Sequence, residues 1–227
     1  MKVAIFGPTG GMGRCLLKQA LEAEHRVTAF ARTPSALAIG HPRLSVVQGD
    51  VFDEDAVGGA VAGHDAVLCA LGSRTQEPVC SRGTLNIVRA MREHGVRRLV
   101  CASAYGVAES LAGAPREVKE LVARFLHRTF AEKATQERVV RASGLDWVIV
   151  RAVGLNSDPG TGSYRGGVDL AFPAGGLPYI SRADAAAFML RQLVDDTYLR
   201  QAPTVAAAEA PARISVPFRA IAPAVAV

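Results

Sequence analysis

Lysine is scarce in this chain. Only Lys2, Lys18, Lys119 and Lys133 supply it among 26 basic residues, so arginine carries most of the positive charge. Aromatic residues make up 6% of the 227 positions, with a single tryptophan, and no basic run is interleaved with them. A net charge of +5 dispersed in this way lacks the clustered basic and stacking surface that nucleic acid requires, and no nucleic-acid partner is expected. The four cysteines, Cys15, Cys69, Cys80 and Cys101, form no C-x-x-C pair, and three lie in apolar patterns where a free thiol packs as a small core residue. His25, His41, His64, His94 and His127 share no ligand spacing, so neither a disulfide framework nor a metal site follows. No apolar run approaches membrane-spanning length, and the opening residues read as a strand rather than a signal peptide. A cytoplasmic protein without a membrane partner is expected, its oligomeric state open.

What is present is a well-stocked core, 49% hydrophobic, at a length that suits one domain. Apolar runs recur at Val3 to Phe6, Arg26 to Phe30, Leu44 to Val47, Ala66 to Ala70, Leu99 to Ala102 and Trp147 to Val150. Helical periods fall between them, best at 12–24, at 81–94 and within 115–142, the last followed by Gly144, suited to a left-handed stop. Near-continuous apolar strands alternating with helices predict an α/β fold, a doubly wound parallel sheet covered on both faces. Trp147 reads as core. The Gly- and Pro-rich stretch 152–178 is too long for a simple connector and lies after the sixth strand, where doubly wound folds bind ligands. A small C-terminal substrate region built from loops is therefore expected there. Thr204 to Ala208 reads as a short added strand. The domain is expected over 1–210, with 211–227 an extended or disordered tail.

The chemistry begins at the first strand, which runs into Gly7-Pro8-Thr9-Gly10-Gly11-Met12-Gly13. Gly7 permits a tight turn, Gly10 lets backbone approach a pyrophosphate, and Gly13 lets the next helix pack on the sheet. The N-terminus of that helix offers free N–H groups and a partial positive charge. A dinucleotide is the expected ligand, with Gly7, Thr9, Gly10, Gly11, Met12 and Gly13 around it. The second strand ends at Arg32-Thr33 with no carboxylate for a ribose, which favours NADPH, Arg32 pairing with the 2′-phosphate and Thr33 or Ser35 adding a neutral hydrogen bond. Asp50, closing the third strand beside Val51, either accepts from the adenine amino group or caps the helix that starts near Asp53. Leu71-Gly72-Ser73-Arg74 ends the fourth strand, as a cofactor wall or a bland turn.

These blocks, together with Cys101-Ala102-Ser103-Ala104, Ser143-Gly144-Leu145-Asp146-Trp147, Thr161-Gly162-Ser163-Tyr164 and Ile180-Ser181-Arg182-Ala183-Asp184, resemble the atypical short-chain dehydrogenase/reductases. Within that group the chain is most similar to the NAD(P)H-binding branch with biliverdin-IXβ/flavin reductase and the NmrA-like proteins. The resemblance implies a Rossmann domain with Arg74 lining the cofactor, Cys101 and Ser103 near the nicotinamide, and Val153, Gly154 and Leu155 facing it. The second arginine that the flavin-reductase branch carries falls on Ala36, and its substrate histidine on Gly154.

None of Tyr105, Tyr164, Tyr179 or Tyr198 has lysine four residues later, so the superfamily's usual proton donor is absent. Positioning of hydride donor and acceptor can still supply much of the rate. Lys133 either faces the cofactor or pairs with Glu137 on a helix surface. Ser103 and Tyr105 are candidate hydrogen-bond donors to a substrate carbonyl, Tyr105 equally a packing residue. The expected activity is NADPH-dependent reduction of a conjugated or aromatic small molecule. An NADP-binding regulatory module without turnover, and a non-redox epimerase or cyclase, remain as alternatives.

Overall fold

The computed structural model describes residues 1–72, 77–173 and 176–208. Strands β1 (Lys2–Phe6), β2 (Arg26–Ala31), β3 (Leu44–Gln48), β4 (Ala66–Cys69), β5 (Arg98–Ala104) and β6 (Asp146–Ala152) all fall on the six apolar runs. They pair in parallel in the order β3-β2-β1-β4-β5-β6. Short strands β7 (Gly154–Asn156) and β8 (Tyr164–Gly167) follow β6 in chain order. β7 pairs with β9 (Tyr179–Ser181) in a separate ribbon, whereas β10 (Thr204–Ala207) adds in parallel to β6 and carries β8 antiparallel at the sheet's edge. The loop-built substrate region expected over 152–178 thus contains strands. The helices are α1 (Gly11–Glu22), α2 (Glu54–Val61), α3 (Val79–Glu93), α4 (Arg116–Leu121), α5 (His127–Arg141) and α6 (Arg182–Arg191), with a π turn over Val122–Leu126 between α4 and α5.

Burial on both faces explains the unbroken hydrophobicity of the inner strands, while edge strand β3 is largely exposed. Along β1 Val3 and Ile5 join the core under α1 and α6, while Ala4 and Phe6 join the one under α2, α3 and α5. β6 repeats the alternation, with Val148 and Val150 on the first side and Trp147 and Ile149 on the second. Removing each such large side chain from water stabilises the fold by about 1.5–3 kcal/mol. Trp147 is core as expected, with the Arg141 guanidinium 5.4 Å from its ring centre. Gly144 carries φ 70° after α5.

Because β2 lies on one side of β1 and β4 on the other, the chain reverses its winding at the β1/β4 junction, and a crevice opens at the carboxyl ends of these strands. No helix among the described residues is long and apolar enough to cross a membrane. Arg74 and the expected tail 211–227 lie outside the described residues.

Candidate functional site

The glycine loop sits at that crevice. Gly7 has φ 80°, and a Cβ there would come within 2.6 Å of Ala70 O; one on Gly13 would meet Gly7 O at 2.0 Å, so only glycine lets α1 pack on the loop. Gly10 is different. Its φ is −71° and an added Cβ would touch only Gly7 O, at 3.6 Å, so its glycine leaves space open toward solvent rather than easing the backbone. α1 starts without a side-chain cap and without an acidic residue in its first turn, which leaves its N–H groups and dipole available to an anion. Thr9 is half-buried, Gly11 exposed, and Met12 packs partly into the core.

Two arginines that the sequence reading passed over border this loop. Arg14 donates from Nε to Thr9 O at 2.9 Å and from a terminal nitrogen to Ala36 O at 2.8 Å, strapping the glycine loop to the turn after β2. Arg182, in the first turn of α6, lies so close over Gly11 that a Cβ there would be 2.7 Å from its Nε. Both positions carried a signal only in three dimensions, since one is a helix residue past the last glycine and the other comes from the far end of the chain.

At the end of β2, Arg32 and Thr33 are exposed, and the Arg32 guanidinium makes no hydrogen bond or ion pair with the described residues. Asp50 does not cap α2. Asp53 does, accepting from Ala56 N–H at 3.0 Å, while Asp50 closes a local turn by accepting from Phe52 N–H at 3.0 Å. Of the two readings of Asp50, capping is therefore corrected, because the helix begins one turn later than Asp50 can reach. Val51 is buried against α3, where a Cβ on Gly83 would meet its Cγ2 at 2.7 Å, and its carbonyl accepts from Asn86 Nδ2.

Across the crevice Leu71 is buried and Gly72 exposed, with no atom within 4 Å of an added Cβ. Behind them stands Lys133. The surface pair with Glu137 does not form: Lys133 Nζ turns inward and donates to Leu71 O at 2.8 Å, Ala102 O at 2.9 Å and Gln136 Oε1 at 2.8 Å. All three of its donors are used within the fold. Gln136 passes the chain on to Thr84 Oγ1 at 2.8 Å and toward Cys69 Sγ at 3.6 Å. The Cys101 side chain, expected near the nicotinamide, is instead buried beside Cys69 on the α3/α5 side, since β5 alternation points it there. A hydrogen bond from Cys101 holds the Cys69 thiol below its ordinary pKa against the opposing effect of burial.

Ser103 is likewise internal. Its hydroxyl donates to Glu137 Oε1 at 2.6 Å, and Glu137 receives Arg151 through two bonds of 3.0 and 2.5 Å, all three residues being buried. Ser103 as a hydrogen-bond donor to substrate is corrected accordingly, because a charged acceptor already holds its one proton. Tyr105 packs edge-on against Phe172 with ring centres 5.0 Å apart, its hydroxyl no nearer than 3.5 Å to Gly113 O. Burial pushes that hydroxyl above its ordinary pKa, which weakens it as an acid. Val153 is buried and bonded to Val205 O, Gly154 donates to Pro178 O at 3.0 Å in the β7/β9 ribbon, and Leu155 is exposed.

The loop after β7 is held from one point. The buried Asp184 carboxylate accepts from Thr161 N–H, Thr161 Oγ1, Gly162 N–H and Ser181 Oγ, with bonds between 2.8 and 3.2 Å. Burial raises its pKa, but these donors outweigh it and hold the carboxyl below its usual 3.8. Separately, a cavity of about 620 Å³ opens beside the last turn of α5, at the β6/β10 edge of the sheet, walled by Glu109, Arg141, Arg151, Leu170 and Thr204. Of the candidate site residues it touches only Tyr105.

Comparison with known proteins agrees with this fold. An uncharacterised chloroplast protein of Arabidopsis thaliana is 30% identical over 223 residues, covering 93% of this chain and 79% of that one. Among solved structures, an anaerobilin reductase of Escherichia coli superposes with a TM-score of 0.78 at 20% identity, over 94% of this chain and all of the other. A short-chain dehydrogenase/reductase of Veillonella parvula in complex with NADP gives 0.74 at 21% identity, over 90% and 94%. At such identities these two structures speak for the Rossmann fold alone. Residues 7–196 match the NAD(P)H-binding family, from the first glycine of the loop to beyond α6, and the chain belongs to that family.

Proposed function

We propose that the protein is an NADPH-dependent reductase that delivers hydride to a conjugated or aromatic acceptor, such as a flavin, a quinone or a polyketide-like ketone. The observation that carries this reading is the pairing of an uncapped helix N-terminus at the crevice with a neighbourhood in which Lys133 and Ser103 have no proton to offer. The bound nicotinamide supplies the hydride. The glycine loop and the α1 N-terminus hold the pyrophosphate, with Arg182 beside them, while Lys133 fixes the ends of β4 and β5 as the platform on which the reacting ring is aligned. Alignment of this kind accounts for a large part of a barrier, and acceptors that take their proton from water need nothing more from the protein. Exposed Arg32 and the nearby Arg14 supply the positive charge that a 2′-phosphate favours, and no carboxylate stands at the end of β2 to select NADH. The match to the NAD(P)H-binding family over residues 7–196 supports the nicotinamide part of this assignment.

The sequestration of Lys133 and Ser103 also favours a second reading, a module that binds NADP and does not turn it over. One assay separates the two: protein mixed with NADPH and a panel of flavins, quinones and aromatic ketones, followed by nicotinamide absorbance. Turnover with any acceptor supports the reductase. Tight binding without turnover across the panel replaces it with the binding module.

A further inference from the structure

The cavity beside α5 is distinct from the cofactor crevice, and its inner wall is cationic. Arg151 comes from β6 and Arg141 from the last turn of α5, so a strand and a helix converge there. Arg151 is neutralised from within by the two bonds to buried Glu137. Arg141, itself 3.6 Å from Glu137, faces Glu109, whose carboxylate lies 2.7 Å from Arg141 and 3.0 Å from Arg151, while a third lining arginine, Arg200, pairs with Asp146 at 3.4 Å. Glu109 is not built in as Glu137 is. Its side chain is 63% exposed, and it sits on a short 3-10 turn, Ala108–Leu111, directly after Ala108, which is held at φ 50°. A non-glycine residue in that region is strained, so the turn that brings Glu109 in is one the backbone adopts at a cost. Behind the carboxylate is empty volume lined by Tyr105, Leu170 and Ala202, while exposed Asp169 stands at the rim.

The geometry points to a second ligand site, in which the carboxylate of a small organic acid takes the place of Glu109 on Arg141 and Arg151 and its apolar body fills the cavity against Tyr105, Leu170 and Ala202. Guanidinium groups pair well with planar carboxylates, and an exchangeable internal carboxylate keeps the arginines ordered while the site is empty. The size is right for an aromatic acid, since small-molecule sites commonly span 300–1,000 Å³. No residue of the glycine loop lines the cavity.

Trp147 reports on this site directly, because Arg141 lies 5.4 Å over its ring and it is the only tryptophan. Benzoate is titrated into the full-length protein while tryptophan emission is followed, with neutral benzamide as the control of equal shape. Saturable change with benzoate and none with benzamide is expected. Glu109→Gln, an exposed substitution, should tighten benzoate about tenfold by removing the competing charge, and Arg141→Gln should abolish the response, with NADPH affinity unchanged in both. Because tryptophan can itself respond to the loss of Arg141, calorimetry with benzoate is run on the same variants. Equal response to benzoate and benzamide, or benzoate affinity unaltered by Glu109→Gln, would overturn the proposal, and a silent titration in both wild type and Glu109→Gln by both methods would do so as well.

Discussion

Replacing Lys133 with methionine keeps the length of the side chain and removes its three donors. The loss is felt at Leu71 O, Ala102 O and Gln136 Oε1, each now within 2.9 Å of Nζ. A buried acceptor left without a partner costs about 1–3 kcal/mol. Leu71 O borders the crevice next to exposed Gly72, where water can replace the ammonium, so the two inner acceptors dominate. Relief of the charge's own desolvation offsets part of this, and a net loss of about 2–3 kcal/mol is expected. Denaturant unfolding of wild type and Lys133→Met, compared at their midpoints with a common slope, measures it. Calorimetry with NADPH gives the second readout: a platform that has lost its tie should bind the cofactor several-fold more weakly. Lys133→Arg should recover only part of both, because a planar fork cannot place donors on three acceptors arranged around one nitrogen. A Lys133→Met protein within 0.5 kcal/mol of wild type, with unchanged NADPH affinity, would refute the positioning role (threshold from the typical spread of surface substitutions, about 0.5 kcal/mol).

Arg32→Ala should weaken NADPH by roughly 10- to 100-fold, the loss of a charge-assisted contact of about 1.5–3 kcal/mol, and leave NADH binding unchanged; equal losses in parallel titrations would contradict the phosphate assignment. Gly10→Val should remain folded, since the position is open and unstrained, at a cost of about 1 kcal/mol for a poorer helix start, yet show no heat of NADPH binding. Asp184→Asn should cost about 2 kcal/mol and change the acid limb of stability. The lowered carboxyl of Asp184 contributes fully above its unfolded value of 3.8 and loses that contribution as the pH falls through the folded value, so unfolding curves of wild type and variant should converge below about pH 4. Parallel curves through that range would show that the carboxylate is not what holds the loop.

The sheet was legible because its inner strands are buried on both faces, which turns them into short unbroken runs such as Val3 to Phe6, whereas edge strand β3 is largely exposed. The glycine loop was legible for a similar reason, since Gly7 and Gly13 answer to steric demands that only glycine meets. Strand β8 was not, because Tyr164-Arg165-Gly166-Gly167 has the composition of a loop and is a strand only through its pairing with β10; a Cβ on Gly166 would meet Phe188 at 2.4 Å. Lys133 lay between two readings. Its four-residue spacing from Glu137 fits a surface pair, but Glu137 is claimed by Ser103 and Arg151 from other strands, and that competition is invisible along the chain. Arg14 and Arg182 were missed because nothing in their local sequence separates them from the chain's other arginines.

The first turn of α6 has a mechanical consequence. Within three residues it carries Arg182, lying over Gly11, and Asp184, which grips Thr161 and Gly162, while the carbonyl of Ala183 between them takes Gln19 from α1 at 2.9 Å. That turn is a shared pivot for two loops that are far apart in the chain. A shift of Arg182 is therefore transmitted to Asp184 and to the Thr161–Gly162 segment it holds, because all of them are set by where one helix begins.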